Sequence, residues 1–228
     1  MIVRTHDSAV ILFARDPVLG KVKTRLFPFL SEETILQLYT CFLHDSLDKI
    51  RQVKNADLFV GVAPSNQSGF FTAIQDAGMR LFAQEGKDLG DKMRRAIHDR
   101  FVEGYKRAVI IGSDSPSLPV SYIEQALSSD KDMVLGPSTD GGYYLIGMRE
   151  KVVEIFDGVA WGTERVLAET YERLVKNGAA LETLPVWYDI DSPEDLKFFQ
   201  THLQLIEQSG LGKVGETGKF LNKILRNR

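Results

Sequence analysis

Cysteine, histidine and net positive charge are all scarce in this chain. A single cysteine, Cys41, stands among 228 residues, so no disulfide can form within the chain, and a reducing compartment suits it. Cys41 lies inside an apolar helical pattern and reads as a small core residue rather than a nucleophile. The four histidines, His6, His44, His98 and His202, are scattered without the spacing of zinc ligands. Net charge is −3 and the isoelectric point about 5.9, which provides no global basic field for nucleic acid. The apolar run near the N-terminus, residues 9–14, is too short for a signal peptide or a membrane helix, and no other run approaches membrane length. A soluble, cytoplasmic protein without stable membrane insertion is the expectation. Three signatures are missing as well: the P-loop G-x-x-x-x-G-K-[ST], the dinucleotide fingerprint G-x-G-x-x-G and the hydrolase elbow G-x-S-x-G.

What is present is a regular alternation. Near-continuous apolar runs at 9–14, 57–62, 79–84, 107–112, 132–137, 143–148 and 180–184 read as strands. Between them, helical spacing predicts helices from Ser31 to about Arg51, to about Ala77, from about Leu89, over 119–127, over 152–156, over 163–177, and from Asp191 to about Gln208. Strands alternating with helices predict an α/β chain, a mostly parallel sheet covered on both faces in three α/β/α layers. Residues 1–208 read as one domain. Residues 209–218 hold four glycines and read as a linker, and 219–228 as a short, basic, surface-docked helix. Through that tail, contact with a second copy of the chain is admitted as a partner interaction.

In an open α/β sheet, ligands meet the carboxyl ends of the strands, so the segments that follow the strands matter most. After the first strand comes RDPVLGKVKTRL, in which Lys21, Lys23 and Arg25 offer charge to phosphate oxygens and Gly20 admits close backbone approach. The same loop also reads as solvated charge. After the fourth strand, Ser113-Asp114-Ser115-Pro116 places an acid where a hard cation such as Mg²⁺ or Mn²⁺ would suit, although Asp114 or Ser115 equally reads as a cap on the next helix. Asp140-Gly141-Gly142-Tyr143 is a hairpin turn that could also hold a ligand against its glycines, with Asp140 or Tyr143 reaching an acceptor. Asp189 and Asp191 fall on one side of an extended segment ahead of Ser192-Pro193-Glu194, a helix start that could add a second metal ligand.

Taken in order, FARDPVLGKVKTRL, GKDLGDKM, IGSDSPSLP, GPSTDGGYYLIGM and DIDSPEDL resemble a bacterial family, the DUF2064 group of nucleotide-diphospho-sugar transferases. That family has the glycosyltransferase-A type fold, within the nucleotidyltransferase-like superfamily. The resemblance spans about residues 8 to 205. It implies a Rossmann-like nucleotide half and a less regular acceptor half. By analogy Ala14, Arg15, Gly20, Lys23, Arg25, Gln84, Gly86, Ser113 and Asp114 would bind the nucleotide, with Gln84 and Gly86 near the base. Asp114 and Asp191 would hold Mg²⁺ or Mn²⁺. Asp140, Gly141, Gly142 and Tyr143 would face the acceptor, and Asp114, Asp140 and Lys23 would carry catalysis. The chain departs from the fold's usual D-x-D, since Asp114 is followed by Ser115 and Pro116. Two activities follow from the resemblance. One is glycosyl transfer from a nucleotide-sugar to an acceptor. The alternative is transfer of a nucleotidyl group from an NTP to a sugar phosphate or small phosphorylated acid, with release of pyrophosphate.

Overall fold

The computed structural model describes residues 4–64, 69–75, 78–210 and 215–225. Among them, β1 (Ser8–Arg15), β2 (Asp57–Ala63), β3 (Arg80–Ala83), β4 (Arg107–Gly112), β5 (Met133–Pro137), β6 (Tyr143–Arg149) and β7 (Leu181–Thr183) make one sheet in the order β3-β2-β1-β4-β6-β5-β7. Every neighbouring pair is parallel except those that β6 makes with β4 and β5. The turn at 138–142 explains the reversal, because a tight turn can only return the chain antiparallel.

The alternation of β1 divides the core. Val10, Leu12 and Ala14 pack on one face with α1 (Glu32–Gln52), α2 (Gly69–Gln75), α4 (Val120–Ser128), α6 (Pro193–Gln208) and α7 (Glu216–Leu225). Ala9, Ile11 and Phe13 pack on the other with α3 (Leu89–Val102) and α5 (Val166–Asn177). β1 is buried on both faces, as the middle layer of a three-layer α/β/α fold must be. The chain leaves β1 toward β2 on one side and reaches β4 on the other, so the ends of β1 and β4 bound the crevice where open α/β sheets take ligands.

Three expectations are corrected. Residues 152–156 form no helix. Val153, Ile155 and Phe156 are buried in an irregular segment that fills the second core, and a stretch this short and β-branched cannot repay helix nucleation. α5 begins at Val166 rather than Thr163, because Thr163 Oγ1 donates to Ala160 O and accepts from Arg165 N, holding the chain in a loop. The segment read as a linker already contains the start of α7: Asp45 on α1 accepts hydrogen bonds from Glu216 N at 2.7 Å and Thr217 N at 2.9 Å, and Leu221 is fully buried. The part of that linker at 211–214, and the helix ends at 76–77 and 226–228, lie outside the described residues. No helix among the described residues is long and apolar enough to cross a membrane.

Candidate active site

The loop after β1 is anchored by two of its apolar residues, Val22 and Leu26, both buried. Between them Lys23 takes a left-handed conformation, φ 47° and ψ 43°, and opens a short 3-10 turn at Thr24–Leu26. This sends its side chain inward. The Lys23 side chain is only 5% exposed, its Nζ lies 5.6 Å from the centroid of the Phe42 ring, and it donates to two carboxylates, Asp114 Oδ1 and Asp191 Oδ1, each at 2.7 Å. Asp114 sits just past the end of β4, and Asp191 sits in the extended segment ahead of α6. Burial alone would lower the Lys23 pKa, but the two carboxylates outweigh it and hold the ammonium above its ordinary value. Burial likewise pushes Asp191 up, and Lys23 and then Arg25 more than reverse it, so Asp191 is held below the usual carboxylate range. Arg25 Nη1 lies 3.7 Å from Asp191 Oδ2, and its side chain is 73% exposed, open to a ligand.

Neither acid is consumed as a helix cap. α4 starts at Val120 behind Pro119 as its N-cap, with no side-chain cap, so neither Asp114 nor Ser115 serves there. At α6, Ser192 and Asp195 form a reciprocal capping box, which leaves the Asp191 carboxylate to Lys23. Asp189 stands beside the pair. Burial, then the charge of Asp114, pushes its pKa up to about 6, and its two oxygens accept from Ser115 Oγ and Ser138 Oγ. One ammonium thus faces a local excess of negative charge.

These donors suit a hard cation. No group of three or more His, Cys, Asp or Glu side chains among the described residues is arranged to hold a metal by protein ligands alone. A pair of carboxylates is nonetheless what Mg²⁺ uses when substrate phosphates and water complete its shell. Asp114 and Asp191 therefore fit Mg²⁺ or Mn²⁺ in company with a phosphate ligand.

Other elements hold the strand ends in place. Gln84 spans the ends of β1 and β2, its Nε2 donating to Ala14 O at 3.1 Å and Gly61 O at 2.8 Å. With both N–H groups used, what Gln84 can offer a ligand is its carbonyl oxygen. Gly86 has φ +149°, and a Cβ there would come within 2.7 Å of Lys92 N, so the loop before α3 requires glycine. Arg15 is exposed, and its backbone N–H donates to Tyr39 Oη at 2.9 Å. Ser113 is buried with its hydroxyl 3.1 Å from the same phenol, so α1 ties the ends of β1 and β4 together. α1 also supplies Lys49, whose buried Nζ donates to Pro116 O at 2.8 Å and Ser115 O at 3.4 Å, on the turn that carries Asp114. Burial pushes the Lys49 pKa down to about 7 against a smaller opposing pull from Asp45.

The acceptor-side residues are placed differently from the expectation. Asp140 Oδ1 accepts from Gly142 N at 2.9 Å, closing its own turn. Gly141 has φ +87°, and a Cβ there would meet Glu164 O at 2.2 Å, so the chain's own 159–165 loop covers the glycine on which a ligand was to lie. Tyr143 packs into the second core against Trp161, with its hydroxyl buried, on the face opposite to Leu145, because the β5–β6 register shifts between Gly136 and Pro137 and breaks the alternation there. Gly20, at φ +71°, serves the loop turn and faces the Glu32 side chain. Lys23, Arg25, Asp114 and Asp191 are brought together, with Gly20 in the same loop. Ala14, Arg15, Gln84 and Ser113 lie at the adjoining strand ends. Tyr39 and Lys49 escaped the sequence reading because a tyrosine and a lysine inside a helix look like core and surface. Of the serines that hold Asp189, Ser115 read only as a candidate helix cap, and nothing in the sequence joined it or Ser138 to Asp189.

A family model described as "Uncharacterized protein conserved in bacteria (DUF2064)" matches residues 46–163. The chain is similar to a crystal structure of a "putative nucleotide-diphospho-sugar transferase" from Desulfovibrio desulfuricans G20, with 30% identity and a TM-score of 0.85, covering 96% of this chain and 95% of that one. It is also similar to the 2-phospho-L-lactate guanylyltransferase of Methanobrevibacter smithii, 24% identical over 208 residues, which cover 90% of this chain and 86% of the relative. The enzyme of the same name from Methanocaldococcus vulcanius is 25% identical over 191 residues, 82% of each chain.

Proposed function

The chain belongs to the DUF2064 family of bacterial proteins, among the nucleotidyl and nucleotide-sugar transferases, and from that membership we propose that it is a nucleotidyltransferase joining an NTP to a small phosphorylated acid or sugar phosphate. The observation that carries this reading is the convergence of Lys23 with Asp114 and Asp191 at the ends of β1 and β4. In the reaction, an anionic phosphate oxygen of the acceptor bonds to the α-phosphorus of the NTP. The bond from that phosphorus to the α,β-bridging oxygen breaks, and its electron pair leaves with pyrophosphate. Lys23, as a compact ammonium, and Arg25, as an exposed fork, offer positive charge to the phosphate oxygens on which charge builds. Asp114 and Asp191 would hold Mg²⁺ or Mn²⁺, which when bound neutralises the triphosphate and stabilises the leaving pyrophosphate.

Asp140 supports the same choice. Its carboxylate closes its own turn, which suits an acceptor whose phosphate is already ionised and needs no general base. The Gln84 carbonyl oxygen suits an N–H donor on a base. GTP is the nucleotide to test first, because the two curated relatives are guanylyltransferases. The test is incubation with each NTP, Mg²⁺ and a panel of phosphorylated acids and sugar phosphates, measuring released pyrophosphate. Glycosyl transfer remains a second reading, favoured by the description of the Desulfovibrio relative. It requires instead that nucleotide-sugars yield nucleoside diphosphate, with no pyrophosphate from any NTP.

A further inference from the structure

The two carboxylates that fit a divalent cation are the same two that grip Lys23. Its Nζ lies 2.7 Å from Asp114 Oδ1 and from Asp191 Oδ1, so the ammonium stands in the space between them. A Mg²⁺ ion bonding both oxygens needs that space, at about 2.1 Å from each. We propose that Lys23 and the divalent cation exclude each other at the Asp114–Asp191 pair, so that the cation enters only as a nucleotide draws Lys23 off the carboxylates and onto its phosphates. This rests on the nucleotidyltransferase reading for the identity of the anion, but not for the competition itself.

The surroundings explain the coupling. The Lys23 side chain is 5% exposed, so its charge cannot simply be released to water by an arriving cation. It must find another anion within reach, and a triphosphate lying along the loop of Gly20, Lys23 and Arg25 supplies one. Arg25 does not compete in the same way. It touches the outer oxygen of Asp191 at 3.7 Å and is largely exposed, so it can move to the phosphates without unplugging the pair. Metal alone therefore meets a repelling, tightly held ammonium. Removing that ammonium leaves the two carboxylates with only the exposed Arg25 beside Asp191, and they bind a divalent cation more tightly.

The experiment is titration of the full chain with Mn²⁺ in the absence of nucleotide, following free Mn²⁺ by electron paramagnetic resonance. Wild type is compared with Lys23→Met, Lys23→Gln, Lys23→Arg and Asp114→Asn, each checked for folding by circular dichroism. Both neutral variants are expected to bind Mn²⁺ about tenfold or more tighter than wild type, from loss of one nearby positive charge. Lys23→Arg should bind as weakly as wild type, and Asp114→Asn should lose the site. The Gln variant keeps a hydrogen-bonding side chain and reads the result if Met does not fold. Neutral variants that bind Mn²⁺ no better than wild type, or no Mn²⁺ binding in any variant, would overturn the proposal. Because no turnover is measured, either result stands apart from the pyrophosphate assay, whose failure would instead remove the nucleotidyltransferase reading.

Discussion

Replacing Lys49 with methionine tests whether α1 holds the Asp114 turn with a buried amine that gives up its proton easily. The Lys49 pKa is depressed from 10.5 to about 7, with burial as the larger cause. The unfolded chain therefore binds more protons than the folded one between these two values, and stability rises with pH across that window. The slope reaches about 1.4 kcal/mol per pH unit once the folded state has lost its proton. Between pH 7 and pH 9 the Lys49 contribution integrates to about 2 kcal/mol of added stability, or roughly 4–8 °C in melting temperature for a chain of this size. Lys49→Met carries no proton and should lack that rise, so the difference between wild type and variant changes by about 2 kcal/mol over the window. Against this, the variant leaves Pro116 O without its donor, a loss of about 1–3 kcal/mol that does not depend on pH. The assay is urea unfolding at half-unit pH steps. Parallel stability profiles for wild type and Lys49→Met would refute the claim that burial depresses the Lys49 pKa.

Three further outcomes are expected. Gly141→Ala forces a Cβ against Glu164 O at 2.2 Å in a left-handed backbone, and should destabilise by more than about 2 kcal/mol in thermal unfolding. Asp45→Ala removes the acceptor for two N–H groups of α7 and should lower stability by about 1 kcal/mol while leaving nucleotide binding unchanged, as read by calorimetry. Asp114→Asn should retain the circular dichroism of wild type yet reduce turnover by about a hundredfold or more, because it removes one of the two anions that fit the metal. A loss of fold in parallel with activity would assign Asp114 a structural role instead.

The legible parts of the fold were those set by local pattern. β1, β2 and β4 are buried on both faces, so they are continuous apolar runs that hardly admit another reading. The Asp140-Gly141-Gly142 turn announced a hairpin, and β5 and β6 are indeed antiparallel. Residues 152–156 carry helix-like apolar spacing, but that spacing serves burial in a loop, which periodicity cannot distinguish from a helix. At the site, the sequence could supply candidates but not their partners. The Lys23–Asp191 contact joins residues 168 apart. Whether Asp114 capped a helix or faced a ligand depended on where α4 began, and that was settled only by Pro119 at its cap. The inward turn of Tyr143 depended on the register shift between Gly136 and Pro137 in the β5–β6 pairing, which the alternation of residue types in the sequence does not reveal.

The most direct test of nucleotidyl transfer at the Lys23–Asp114–Asp191 cluster is ³¹P nuclear magnetic resonance of wild type with GTP, Mg²⁺ and a panel of phosphorylated acids and sugar phosphates. The expected spectrum gains inorganic pyrophosphate and, in equal amount, a new diphosphate diester joining the GTP α-phosphate to the acceptor phosphate. Both signals should grow more slowly with Asp114→Asn, by about a hundredfold or more. A spectrum in which no NTP and acceptor yield pyrophosphate, while a nucleotide-sugar yields nucleoside diphosphate, would contradict the account.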